Sequence, residues 1–565
     1  MAARSRIMSS DNMQKILSRA ELDEEIERKR IERSNQLTIR KTMPLDRVPR
    51  TDVCVIGAGI SGLATAKCLR ESGLDVVVYE RTGEVGGLWV FREHDYGVMR
   101  FTHINVSKQN YCFSDFPFPD NVPEFPHNRQ MAQYIADYTT NFKLQECIKF
   151  HRKVTRVEKE GDSWRITSVA VEDDGKGREK FGQEEVLIAS HVAIATGHHA
   201  KPSWAKFPGQ DKFKGEVIHS VDYKDAITNR MVGKRVLLVG IGNSAVDAAV
   251  DLATVGRCQE VHISSRSGAW VFPNYLFGRP IDHYSSRLLL WLPLKIMNPI
   301  SEFLLSVIHG HPNQYGLFPK MRVFQTQPTV SPVLFHHVQR KNVLIHPNID
   351  RMEEKRVFFT DGSSVEVDHI VLCTGYHIDL PFLSDDIRKE IMEVGTNTIK
   401  LYKNIFAPSV GKSLAFIGFV QPASGGVLSM SEVQARWFAE LCKDKVQLPP
   451  VAEMKEDIDR ELRESAERFF KSERHTIQKD PILYNDDVSQ KFGAKPQLWR
   501  HPTLAWRLLL GTCGPAQYRL QGPNSWPEAA AEVRKVPVTG FAHYGTLAVV
   551  LPVLLLLLWC FLVLV

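Results

Sequence analysis

The chain has 565 residues, 43% of them hydrophobic and 24% charged, which excludes a disordered chain, a collagen and a small disulfide scaffold and leaves room for several domains. Its formal charge is +6, of which the first fifty residues carry +4, so no basic domain remains to track phosphates and no nucleic-acid partner is expected. Nine cysteines, scattered and without a Cys-x-x-Cys pair, argue against a disulfide framework, a metal site and a dithiol redox centre, and fit reducing surroundings.

Residues 1–49 read as a charged N-terminal extension. Its first twenty residues set Arg4, Arg6, Lys15 and Arg19 against Asp11 and contain no apolar core of a secretory signal. Acids precede bases at helical spacing over 21–33, with Leu22 and Ile26 as a thin apolar line. A solvated tail and a targeting or partner helix both fit this pattern.

From residue 50 the pattern becomes that of a strand, a glycine turn and a helix. Val53 to Ile56 lead into Gly57-Ala58-Gly59-Ile60-Ser61-Gly62, a helix follows, and a second strand from Asp75 to Tyr79 ends in Glu80. Gly57 permits the tight turn, Gly59 lets the backbone approach a pyrophosphate on the helix N-terminus, and Gly62 allows close helix-strand packing. Glu80 is placed to accept from a ribose 2′-hydroxyl, so the spacing predicts a dinucleotide site in a domain whose first part spans 50–200.

A second such unit lies within 201–365. Val236 to Val239 lead into Gly240-Ile241-Gly242-Asn243-Ser244-Ala245, followed by Val246 and Asp247, and the next strand ends in Ser264-Ser265-Arg266 rather than an acid. A carboxylate there would repel a 2′-phosphate, whereas a guanidinium and hydroxyls bind one. The first site therefore suits FAD and the second NADPH, and the fold class expected is α/β, two Rossmann-like dinucleotide-binding domains with a C-terminal membrane helix. NADPH would pass hydride to the flavin; which chemistry the flavin then performs stays open at this point.

Segment 276–334 reads as an insertion in the second domain. Its apolar stretch Leu288 to Ile308 is interrupted by Pro293, Lys295, Pro299 and Glu302, too broken to span a bilayer, and fits either a lid resting on a membrane or a helical pair on the core. Residues 366–540 would return to the first domain. Leu547 to Val565 carry no charged side chain, and the apolar run over 545–565, about twenty residues, matches a hydrocarbon core of about 30 Å. Arg534 and Lys535 before it would keep the large domain on the cytoplasmic side.

With both units in view, Phe213-Lys214-Gly215-Glu216-Val217-Ile218-His219-Ser220-Val221-Asp222-Tyr223 resembles the FxGxxxHxxx(Y/F) signature of the flavin-containing monooxygenases. Related Baeyer-Villiger enzymes usually carry Trp at the Tyr223 position. The resemblance extends over 50–565 and includes Gly86-Gly87-Leu88-Trp89, Ile417 to Pro422, Ser431 to Trp437 and Tyr518 to Trp526. It implies that Leu88 and Trp89 pack on FAD, that Ile104 and Asn105 lie between flavin and nicotinamide, that Asn105 is the catalytic amide, that Ser244 to Asp247 contact NADPH, and that Gln421 lies near the flavin ring. His219 is taken as structural. It further implies reaction of O₂ at flavin C4a to a hydroperoxide shielded from water, oxygenation of amine nitrogen and sulfide sulfur, and an endoplasmic reticulum membrane location with the catalytic part facing the cytoplasm. Ketone oxidation of the Baeyer-Villiger type, or an NADPH oxidase or redox sensor without productive oxygenation, are the alternatives. The expected partners are a small nucleophilic substrate, O₂ and membrane lipid, with an oligomer allowed. The extension and the segment His311 to Leu334 depart from the family's usual pattern.

Overall fold

The computed structural model describes residues 48–173, 179–199, 201–393, 396–470, 476–536, 538, 555 and 559. The chain divides into two units, Met1–Pro49 and Arg50–Val565. The helix predicted over 21–33 and the membrane anchor predicted over 545–565, but for Leu555 and Trp559, lie outside the described residues. Among the described residues no helix is long and apolar enough to cross a membrane.

In the larger unit, β1 (Arg50–Ile56) feeds α1 (Ile60–Glu71), which returns to β2 (Val76–Tyr79). After α2 (Asn128–Asn141) come the edge strand β3 (Ile148–Lys149) and a meander of β4 (Arg152–Glu160), β5 (Ser163–Asp173) and β6 (Glu179–Ile194). The sheet order is β3-β2-β1-β6-β5-β4, parallel from β3 through β6 and antiparallel beyond. Val53 to Ile56 are buried on both faces, which is why β1 reads as a continuous apolar run rather than an alternating one.

The second sheet takes β7 (Glu216–His219), β8 (Arg235–Val239), β9 (Glu260–Ser264), β10 (Val343–His346) and β11 (His369–Leu372), all parallel, in the order β10-β9-β8-β11-β7. Helix α3 (Asn243–Thr254) follows β8 and covers one face through Ala245, Val246, Ala249 and Leu252. Three short antiparallel strands between residues 349 and 366 cover the other face. The boundary expected at residue 365 is therefore corrected: β11 pairs with both β8 and β7, so the second domain extends past it. The return to the first sheet is made instead by β12 (Leu414–Phe416), parallel to β6 at Val192 to Ile194. The insertion is also wider than 276–334, because Val271–Phe272 already pairs with Thr329–Val330. Within it, α4 (Leu294–His309) carries the predicted apolar stretch with Pro299 inside.

Helix α5 (Val427–Cys442) is buried from Leu428 to Cys442 and packs against α1. Helices α6 (Val451–Arg468) and α7 (Pro481–Gln490) follow it. An ionic cluster fixes the crossing of α1 and α5. Arg519, 1% exposed, bonds Glu432 at 2.8 Å and Asp115 at 3.0 Å, and Lys67 of α1 pairs with Asp115 and with Glu71 at 2.7 Å. Ser114 completes it, its N–H donating to Glu432 at 2.8 Å.

Candidate functional site

The first glycine turn leaves a recess free of side chains. Gly57 has φ +102°, a conformation that strains any L side chain, and a Cβ there would lie 2.8 Å from the Ala195 carbonyl oxygen. A Cβ on Gly62 would lie 1.8 Å from the Gly57 oxygen, so α1 can start where it does only with glycine at that place. Gly59 faces Gly87, whose Cα is 3.7 Å from a Cβ built on it, and neither turn projects a side chain. The N-terminus of α1, with its unpaired N–H groups and partial positive charge, thus opens onto bare backbone, a cradle that fits a pyrophosphate.

Glu80, 7% exposed, accepts at Oε2 from the Ala58 N–H at 2.8 Å and at Oε1 from the N–H and hydroxyl of Thr82 at 2.8 and 2.9 Å. Three of the roughly four lone-pair directions of a carboxylate are used, which leaves one for a ribose hydroxyl. Ser61 is turned the other way, its hydroxyl 2.9 Å from that of Ser431 on α5. Ile60 is partly buried and Ala58 fully buried. Leu88 and Trp89 form a short turn after Gly86 and Gly87, with Trp89 edge-on to Tyr111 at 5.6 Å and Leu88 half-buried.

Ile104 is 2% exposed and Asn105 half-buried. Among the described residues nothing hydrogen-bonds the Asn105 amide, while Ser107, two residues on, is held by Asp282, which accepts from its N–H at 3.2 Å and from its hydroxyl at 2.5 Å. Gln421 donates to the Gln327 side chain at 2.5 Å.

The second glycine turn repeats the first with one difference. Gly240 has φ +119° and a Cβ there would meet the Cys373 oxygen at 2.5 Å, but Gly242, at the cap of α3, has nothing within 4 Å of that position. Ala245 and Val246 are fully buried and offer a ligand only their backbone. Ser244 is exposed, and so is Arg266, which has no ion-pair partner among the described residues. Asp247 is partly buried without a partner among the described residues, and loss of water pushes its carboxyl up to about 7.

Sequence reasoning did not find the contacts that join the two halves. Thr329 donates to the Ile241 carbonyl at 2.9 Å and the Val330 N–H to Asn243 at 2.8 Å, so the insertion's strand touches the second glycine turn while Gln327, two residues earlier, reaches Gln421. The polar run Gln325 to Thr329 inside an apolar insertion was the signal available. The stretch around His219 is a brace. Tyr223 donates to Asp251 of α3 at 2.7 Å, Lys224 to the Asp95 carbonyl at 2.8 Å, and Arg100 to Asp225 at 2.7 Å. His219 is fully buried, with the Val221 N–H donating to its Nδ1 at 3.2 Å and its Nε2 3.1 Å from the Gly375 carbonyl, as a structural residue would be.

The family described as flavin-binding monooxygenase-like matches residues 50–537. Flavin-containing monooxygenase 5 of Mus musculus is 36% identical over 500 residues, covering 84% of this chain and 90% of that one. The solved S-allyl-L-cysteine S-oxygenase from Allium sativum is 23% identical, covers 86% of this chain and 98% of that one, and has a TM-score of 0.59. OTEMO, solved in complex with FAD and NADP, is 16% identical, covers 79% and 98%, and has a TM-score of 0.58. At these identities the two structures carry the fold alone.

Proposed function

The chain belongs to the flavin-binding monooxygenase-like family, and from that premise we propose that it transfers one atom of O₂ to the nitrogen or sulfur of soft nucleophiles. It is an NADPH-dependent flavin monooxygenase with FAD as its prosthetic group, and it acts on a small molecule and O₂. In the overall balance a sulfide, O₂, NADPH and a proton give a sulfoxide, NADP⁺ and water. Bound FAD supplies the activation of O₂ with electrons from NADPH.

The chain's own residues bind, orient and exclude water. Gly57 to Gly62, Glu80, Leu88 and Trp89 would hold FAD; Gly240, Gly242, Ser244 to Asp247 and Arg266 would hold NADPH. Ile104 and Asn105 would lie between the two, and Gln421 near the flavin. An amide at Asn105 donates to an oxygen without competing as a nucleophile. The insertion acts as a lid, tied by Asp282 to Ser107 and by Gln327 to Gln421, which keeps water from the reacting atoms. The observation that carries this reading is the pair of side-chain-free glycine turns, one closed by a buried carboxylate and the other flanked by an exposed arginine.

The same reading places the protein on the endoplasmic reticulum membrane, anchored by 545–565 with the catalytic part in the cytoplasm. The lid supports it: Ile296, Ile300, Phe303 and Val307 recur at helical spacing on α4 and are exposed, Phe303 at 68% and Val307 at 67%. At 16 residues α4 is about 24 Å long, short of a bilayer core, so it would lie in the interface.

The test is to supply a sulfide, a tertiary amine and a ketone side by side to the FAD-loaded enzyme with NADPH. Sulfoxide and N-oxide should form in step with NADPH consumed and ester should not. Conversion of NADPH only to H₂O₂ with every nucleophile would overturn the proposal.

A further inference from the structure

A small, partly open cavity of about 40 Å³ lies between the lid and the first domain, lined among others by Asn110, Asp282, Ser429, Asp480, Asn485 and Cys513. A water needs roughly 10–15 Å³ of such space, so the cavity has room for two or three waters or for one small polar head group.

Its walls offer acceptors. Asn485 is 3% exposed, and its amide N–H donates to Ser429 at 3.2 Å, which turns the carbonyl oxygen away without a partner. The Asn110 amide donates to Asp282 at 2.7 Å, and its carbonyl oxygen is likewise buried and unpaired. Reversing that amide would point its oxygen at a carboxylate, so the orientation is fixed by charge. Buried unpaired acceptors of this kind cost free energy unless something donates to them.

The cavity also lacks positive charge. Asp282, 8% exposed, accepts from the N–H and hydroxyl of Ser107 and from Asn110, but among the described residues no cation pairs with it. The charged neighbours are spent on each other: Asp480 pairs with Arg468, and Arg287 is held by Asp486 at 2.7 and 2.8 Å, by the Leu508 carbonyl at 2.7 Å and by Gln517 at 2.6 Å. Burial holds His283 below its ordinary pKa, so it adds no charge near neutral pH. One buried carboxylate without a paired cation among the described residues and two orphan carbonyls favour a cation with several N–H donors.

The cavity adjoins the segments assigned to the reaction. Ser107, bonded to Asp282, is two residues from Asn105, which limits the separation of their Cα atoms to about 7 Å, and the lining residues Gly425 and Gly426 follow closely on Gln421. We propose that this cavity binds the primary ammonium group of the substrate and that the preferred substrates are thioethers carrying such a group a few carbons from the sulfur. The proposal rests on the monooxygenase reading above.

Two thioethers of the same shape test it, 2-(methylthio)ethylammonium and methyl propyl sulfide, given to the FAD-loaded enzyme. The ammonium compound should have a kcat/KM higher by about tenfold or more, the range expected for hydrogen bonds to a charged group. Asn485→Leu should raise KM for it about tenfold and leave methyl propyl sulfide within twofold. The near-isosteric Asn485→Asp should lower KM for the ammonium compound alone, and it serves if the leucine variant fails to fold. Equal kcat/KM for the two sulfides, or equal losses in the variants, overturns the subsite while oxygenation stands. Binding is read separately from turnover: propylammonium should protect the holoenzyme from thermal unfolding, and tetramethylammonium, equally charged but without N–H groups, should not. Absence of protection by propylammonium overturns the subsite even if neither sulfide is oxygenated, the result that would sink the monooxygenase reading itself.

Discussion

In the second glycine unit, Arg266 and Asp247 carry charge without a protein partner among the described residues, and each makes a distinct prediction. If the Arg266 guanidinium takes the 2′-phosphate, Arg266→Ala should lower kcat/KM for NADPH about 10- to 100-fold and leave that for NADH nearly unchanged, because charge-assisted hydrogen bonds are worth about 1.5–3 kcal/mol. Equal losses for both nucleotides would remove the residue from that role. Asp247 acts through pH. Its folded carboxyl is raised to about 7 from an ordinary value of 3.8, so between these values the folded state holds a proton that the unfolded state has released. Stability from this group is therefore lost as pH rises from about 4 to 7 and is level above that. Asp247→Asn, which cannot ionise, should gain Tm relative to the parent protein across that window in the absence of NADPH. A constant difference between the two from pH 4 to 8 would contradict the assignment.

At the scale of elements, the two glycine turns look alike in sequence but predict opposite outcomes. Gly62→Ala drives a Cβ to 1.8 Å from the Gly57 oxygen and should prevent α1 from packing on β1, giving protein that neither folds stably nor retains FAD. Gly242→Ala meets nothing within 4 Å, so the fold and the flavin content should survive while NADPH affinity drops, since only an approaching pyrophosphate would feel the methyl. Loss of flavin in Gly242→Ala would refute that contrast. Both turns were legible from sequence because a strand, a glycine turn and a helix N-terminus are specified within about thirty residues. The cluster that holds α1 against α5 was not, since Arg519 meets Ser114 across 405 residues and Glu432 across 87, and nothing in local periodicity registers such a pairing. The motifs Ser431 to Trp437 and Tyr518 to Trp526 stood out as patterns, but their reason is this buried charge cluster. Arg519→Met should cost about 3–5 kcal/mol, because it leaves Glu432 and Asp115 buried with less compensation, and thermal unfolding of the holoenzyme would measure it.

For the whole molecule, the lid has two sides with different tasks. Its inner side is polar and reaches both halves, through Asp282 to Ser107, Thr329 to Ile241 and Gln327 to Gln421. These contacts escaped the sequence because they span between 88 and 175 residues, whereas the apolar repeat of its outer side was visible as a broken hydrophobic run. The outer side exposes Trp291 at 69%, Phe303 at 68% and Val307 at 67%, an apolar patch of the kind that marks an interaction surface. Burying three such side chains in an interface is worth about 1.5–3 kcal/mol each, enough to hold the protein on lipid without the tail. A chain lacking 545–565 should accordingly still sediment with phospholipid vesicles. Replacing Trp291, Phe303 and Val307 together by Ser should then weaken that binding about 100-fold or more, without changing kcat for a water-soluble sulfide. Were the truncated chain to stay in the supernatant, the lid's outer face would not be a lipid-binding surface, and attachment would rest on the C-terminal segment alone.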